Sequence, residues 1–325
     1  MMKTVVAAFA LVIGLAIGLA AQPAAAQSYP SQPIKLIVPF TPGTGMDIIA
    51  RTVGPRLSVR LGQPVIVENK PGASGIIGSD AVAKSAPDGY TLAVTGNPLI
   101  ITPSMYKSVP YDVLKDFTPV SLASWGTLAL VANPKKHIDS VADLIAKAKA
   151  APGKLTYGSP GIGTPHHMSM ELFEDLAGVR LLHVPYKGSA GAVTDLLSGQ
   201  IDVMFLPIHV AMPFVKDGRL RALAVGSANR HPAAPNVPTL QELGIHGGDV
   251  DMWYAFFGPK GMPEPVVAKL NSEIRAILAQ PEVKAVFDKQ GMAAATSSPE
   301  ELRSLMDKDY ARWHALIKKN NITAN

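Results

Sequence analysis

The residues best suited to chemistry fall in two glycine-rich loops. In the first, an apolar run from Ile34 to Phe40 stops at Thr41-Pro42-Gly43-Thr44-Gly45. Met46 and Asp47 then open a pattern in which Ile49, Val53, Leu57 and Leu61 recur every fourth residue, so the stretch reads as strand, loop and helix. Gly43 and Gly45 allow a ligand close to the backbone, and the first amides of the helix have no acceptor within it, so the loop is suited to an anion. The second loop, Ser159-Pro160-Gly161-Ile162-Gly163-Thr164-Pro165-His166-His167, repeats this grammar with Thr164 as a helix N-cap and Pro165 as first helical residue. Opposed across a cleft, the two loops would clamp a carboxylate through neutral donors.

Other chemistries fit less well. Gly43 and Gly45 supply two glycines of a dinucleotide fingerprint, but Ile48 stands where the third is required. Ser159 with His167 suggests a serine hydrolase, yet the nucleophile elbow needs a glycine where Tyr157 stands. A triad without that motif is kept as the alternative function, an exported serine hydrolase. The adjacent His166 and His167 diverge by about 100° on a helix and cannot share a metal as an i, i+4 pair does; no metal and no cofactor are expected. Asp47 in a first helical turn suits the helix dipole, and it also stands where it can orient the loop. Lys187, beside Tyr186 after a strand ending at Pro185, can reach an anion. Phe40 and Trp125 are candidates for cleft wall or core.

The elements that must position these residues alternate. Strand-like runs at Pro64–Asn69 and Tyr90–Thr95 follow the first unit, with a helix between them. The spacing predicts an α/β fold with mostly parallel sheets flanked by helices, in which ligands bind beyond the carboxyl ends of strands. Thr95 and Asn97 therefore join the candidate ligand-binding set. After an irregular stretch from Asn97 to Pro119, a second series runs from Thr127 to Val225, and strand and helix patterns resume from Trp253 to the last helix, opened by Ser298-Pro299-Glu300. The expected organisation is a discontinuous first lobe, residues 27–124 plus 226–325, with a second lobe, 125–225, inserted through two crossovers. That is the layout of a hinge-closing receptor.

The N-terminus sets the compartment. Lys3, an apolar run from Val5 to Ala21 and Ala24-Ala25-Ala26 have the layout of a secretory signal peptide, residues 1–26, cleaved near Ala26. No twin arginine precedes the apolar run, so export of a folded protein with a bound cofactor is not expected. The 325 residues include no cysteine, which removes disulfides, thiol nucleophiles and thiolate metal sites. The net charge of +5 is small and scattered, which argues against nucleic acid.

Six blocks in order carry a family resemblance: Val38-Pro39-Phe40-Thr41-Pro42-Gly43 through Asp47 and Arg51; Val67-Glu68-Asn69-Lys70-Pro71-Gly72; Pro87-Asp88-Gly89-Tyr90; Tyr157-Gly158-Ser159 through Thr164; Val184-Pro185-Tyr186-Lys187-Gly188; and Gly199-Gln200-Ile201-Asp202. The mature chain resembles the substrate-binding receptors of the tripartite tricarboxylate transporters, the Bug-type periplasmic proteins. The resemblance implies a two-lobed periplasmic-binding-protein fold of type II-like form, no enzymatic activity, and capture of a small di-, tri- or aromatic carboxylate by closure of the lobes. It also implies a monomer that delivers its cargo transiently to a membrane permease, with a signalling partner as the alternative. Carried over onto this sequence, it places Phe40, Thr44 and Asp47 on one side of the ligand and Ser159, Gly163, Thr164 and His167 on the other. Met46 departs from the family's small hydroxyl residue, and its bulk points to an aromatic carboxylate.

Overall fold

The computed structural model describes residues 29–324. The chain divides into two compact units, 1–31 and 32–325, and the second holds every element described below. The expected signal peptide lies outside the described residues.

Two mixed sheets organise the fold. The first takes strands β1 (Ile34–Val38), β2 (Val65–Asn69), β3 (Thr91–Gly96), β4 (Phe117–Gly126), β10 (Met252–Pro259) and β11 (Met292–Ala294), in the order β11-β4-β10-β3-β1-β2. The second takes β5 (Leu128–Ala132), β6 (Thr156–Ser159), β7 (Leu182–Pro185), β8 (Val203–Pro207) and β9 (Arg221–Val225), in the order β7-β6-β8-β5-β9. The expectation of mostly parallel sheets needs correction. β1 pairs parallel with β2 and β3, and β6 with β7 and β8, while the pairings made by β4, β5, β9, β10 and β11 are antiparallel. The antiparallel strands flank the passages between the sheets. β4 runs into β5 through Thr127 alone, and the chain returns from β9 to β10, so strands leaving and re-entering a sheet there run in opposite senses.

Helices cover these sheets for legible reasons. α1 (Gly45–Leu61) buries Ile49, Val53 and Leu57 completely, the apolar stripe read at four-residue spacing, and ends at Gly62 in the left-handed region. α2 (Ile76–Ala83) and the short α3 (Pro98–Ile101) follow β2 and β3. In the second sheet, α4 (Val141–Ala150) is capped by the Ser140 side chain, α5 (Pro165–Ala177) by Thr164, and α6 (Ser189–Ser198) and α7 (Ile208–Lys216) follow β7 and β8. α8 (Glu264–Leu278) and α9 (Pro281–Asp288) return to the first sheet. α10 (Pro299–Lys319) starts with a complete capping box in which Ser298 and Glu301 satisfy one another's backbone amides. One apolar cluster runs from Ile37, Ala93 and Phe257 of the first sheet through Met105, Met252 and Leu316 to Leu130 and Phe205 of the second. Among the described residues no helix is long and apolar enough to cross a membrane.

Candidate functional site

Between the sheets lies a cleft of about 1220 Å³. Much of its wall comes from segments that follow the parallel strands: Phe40, Thr41, Gly43–Met46 and Ile48 after β1, Ser74 after β2, Asn97 and Pro98 after β3, Pro160–His166 after β6, Tyr186–Ser189 after β7, and His209 and Val210 after β8; Thr127 and β10 add to it. Three helix N-termini of the second sheet thus open toward the N-terminus of α1, each offering backbone amides and the positive end of its dipole.

The two glycine loops have the same internal construction. Gly43 and Gly163 both take left-handed backbone angles, φ 85° and 77°. The threonines that follow are extended, at φ −74° and ψ 161° for Thr44 and φ −67° and ψ 154° for Thr164. Each threonine hydroxyl donates to the carbonyl three residues back, Thr44 to Thr41 at 3.2 Å and Thr164 to Gly161 at 2.7 Å. Each glycine amide donates to the side chain four residues on, Gly43 to Asp47 Oδ2 at 2.9 Å and Gly163 to His167 Nδ1 at 3.1 Å. Met46 and His166 therefore hold equivalent positions, and both line the cleft.

Of the residues read from the sequence, the cleft brings together Phe40, Thr44, Met46, Asn97, Gly163, Thr164, Tyr186 and Lys187. Asp47, Thr95, Ser159 and His167 are buried behind that lining. Asp47 also accepts from Arg51 Nε and Asn69 Nδ2, each at 2.9 Å. Burial pushes its pKa upward, but the bonds from Gly43, Asn69 and Arg51 outweigh that and hold it below the ordinary value. Asn97 accepts the Trp253 amide at 2.8 Å, and Thr95 Oγ1 has no hydrogen-bond partner among the described residues. Tyr186 donates its hydroxyl to Asp195 at 2.6 Å, and burial, reinforced by Asp195, pushes it up to about 12. Among the described residues Lys187 is the one lining side chain with a full charge, so the anion-binding capacity rests on backbone amides and neutral donors.

Ser159 is paired, but with His183 rather than His167: Oγ and Nε2 are 2.7 Å apart. His183 stacks on Tyr157 and His167, with ring centroids 4.7 and 4.2 Å away. Burial, aided by His167, lowers its pKa to about 3, which makes a weak base, and Ser159 is wholly buried. The pair braces the loop from behind. Among the described residues no three His, Asp or Glu side chains are grouped to hold a metal ion.

Sequence reasoning missed Tyr254, Tyr106, Thr102, His209 and Met252, and gave His166 no ligand role; all line the cleft. Tyr254 falls in the strand pattern that resumes at Trp253, where a tyrosine near the start of an apolar run was the available signal, while Met252 stands one residue before it, as the first residue of β10. His166 has both ring nitrogens buried without a partner among the described residues, and burial lowers it to about 4.

Two α/β lobes joined by crossovers, with helix N-termini facing across a cleft, define a solute-binding receptor of the periplasmic-binding-protein class. Residues 49–322 match the family described as tripartite tricarboxylate transporter family receptor, and the chain belongs to that family. It is 39% identical over 312 residues to the protein BugT of Bordetella pertussis, covering 95% of this chain and 96% of BugT. Among solved structures it resembles Rpa4515 of R. palustris with adipate, at 33% identity and TM-score 0.80, covering 91% of this chain and 99% of that one. It also resembles MatC of Rhodopseudomonas palustris with bound malate, at 30% identity and TM-score 0.77, covering 89% and 100%.

Proposed function

We propose that the protein is an exported receptor that captures a small organic carboxylate between its lobes, without changing it chemically, and hands it to the membrane permease of a tripartite transporter. The observation that carries this reading is the pair of matched loops, Gly43–Asp47 and Gly163–His167, presenting helix N-termini to one cleft with no acidic side chain in its lining among the described residues. The ligands of the two relatives, adipate and malate, support the carboxylate class.

In this reading, residues 27–124 plus 226–325 form one lobe and 125–225 the other, hinged at Thr127 and near Gly226. A volume of 1220 Å³ exceeds what a small acid fills, so closure is needed to bury it. Phe40, Thr44, Met46, Asn97, Gly163, Thr164, Tyr186 and Lys187 contact the ligand. Asp47, Thr95, Ser159 and His167 hold those contacts from behind. The chain works in the periplasm after loss of residues 1–26, as a monomer.

A thermal-shift screen of residues 27–325 against aliphatic di- and tricarboxylates, aromatic carboxylates and amino acids tests this. A ligand bound only by the folded state raises the melting temperature by mass action. A selective carboxylate response is expected; a response to amino acids alone would contradict the assignment.

A further inference from the structure

The ring of Tyr254 reaches the mouth of the first glycine loop, and two glycines make room for it. A Cβ at Gly45 would stand 2.9 Å from the Tyr254 hydroxyl oxygen. A Cβ at Gly126, the last residue of β4, would stand 3.4 Å from Cε2 of the same ring. Neither glycine lies in the left-handed region, so the backbone at these two positions does not itself demand glycine. What they allow is the close approach of the phenol to the first residue of α1, where the helix amides lack acceptors.

Among the described residues the hydroxyl meets only a weak acceptor, the Met252 thioether at 3.8 Å. Burial pushes the phenol up to about 12, so it keeps its proton and stays a donor. Tyr254 sits on β10, which is paired on both sides by β3 and β4, so the hydroxyl is carried by the interior of a sheet and not by a mobile loop. A protonated donor at a cleft wall, beside free amides and short of an acceptor, lacks only an anion's oxygen.

We propose that Tyr254 is a ligand-binding residue, its hydroxyl donating to the carboxylate held at the N-terminus of α1. This rests on the carboxylate-receptor reading above and adds to it a side-chain donor from the return strand. Met46 and Met252, which also line the cleft, would pack against the carbon skeleton next to that carboxylate. The site therefore favours an acid whose carboxylate is attached to an apolar body over one bearing hydroxyls on the adjacent carbons.

The test is Tyr254→Phe, which removes one oxygen and keeps the ring. Wild type and variant are titrated calorimetrically with adipate, malate and benzoate, and melting temperatures are taken without ligand. For whichever acid the wild type binds, the variant should bind about tenfold or more weakly, as for loss of a hydrogen bond to a charged group, with an unchanged melting temperature. Binding should also perturb the near-ultraviolet tyrosine difference spectrum of the wild type, and the signal should be smaller in the variant, where Tyr106 and Tyr186 remain in the lining. Affinity within twofold of wild type, or an unaltered difference spectrum, overturns the role of Tyr254 and leaves the receptor reading standing. Failure of the wild type to bind any of the three acids counts against the receptor reading and takes this inference with it.

Discussion

Asp47 and His167 do the same work in opposite walls of the cleft: each accepts the amide of the glycine four residues before it, at 2.9 and 3.1 Å. One is an anion tied to Arg51 and Asn69, the other an imidazole stacked on His183. The glycine amides they hold fix the left-handed turn that points the remaining loop amides at the cleft. The loops share a geometry that does not depend on side-chain identity, which leaves Met46 and His166 free to set what each wall offers a ligand.

Asp47→Asn tests the first of these locks. The substitution removes the charge that draws Arg51 while keeping the shape, and should cost about 1–3 kcal/mol of stability at neutral pH. The native pKa lies below its unfolded value, so the stabilisation is present above about pH 4 and is lost as pH falls through the lowered value. Denaturant titrations from pH 2 to 7 should therefore show wild type and variant converging in acid; a constant gap would contradict the lock.

Glu174 predicts the opposite slope. Burial pushes its carboxyl up to about 7, with the neighbouring Glu171 adding to the effect and the Leu181 amide opposing it. The folded state then holds a proton that the unfolded state releases, so stability falls as pH rises from about 4.5 to 7. Glu174→Gln keeps the acceptor for Leu181 and removes the charge. It should match wild type near pH 4.5 and exceed it above pH 7 by on the order of 1–3 kcal/mol. Equal stability at pH 8 would show that the wild-type carboxylate is not penalised there.

Much of this was legible because local chemistry sets it. The first loop, the Thr164 cap, the Ile49, Val53 and Leu57 stripe and the Ser298 start of α10 each follow from residues within a few positions of one another. Strand β4 was not legible: Pro119 inside it argues against a strand, and the stretch up to Pro119 reads as irregular. In the structure Pro119 pairs with Phe257 at a register shift in β10, where the ladder is already interrupted. Ser121 and Ser124 donate across to the carbonyls of Ser297 and Ala293, so their polarity is satisfied by chain from the far end of the sequence. Tyr254 was missed for the same reason: it meets Gly45 from some 200 positions away, a proximity fixed by the return crossover, which no short pattern encodes.

Met46 should govern the choice of acid. It is nearly buried yet lines the cleft, where the resemblance to the family leads one to expect a small hydroxyl residue. Met46→Ser should weaken an aromatic carboxylate by about 1–2 kcal/mol, the worth of its apolar contact, and leave a short aliphatic acid within a few tenths. Titration of both acids against both proteins decides this, and an equal loss for the two would contradict it.

Ser159→Ala separates bracing from catalysis. Loss of the bond to His183 should destabilise the protein by about 1 kcal/mol. Ester hydrolysis by wild type and variant should both stand at the background rate. Wild-type turnover abolished by the substitution would revive the hydrolase alternative.

The most direct measurement is a calorimetric titration of the mature chain, residues 27–325, with the carboxylate that gives the largest thermal shift, followed by recovery of the ligand from the denatured complex. Saturable binding of one acid per chain, weakened by Asp47→Asn and returned chemically unchanged, is the expected result. Absence of binding across the carboxylate panel, or recovery of a converted product, would contradict a receptor that closes on a carboxylate and lets it go intact.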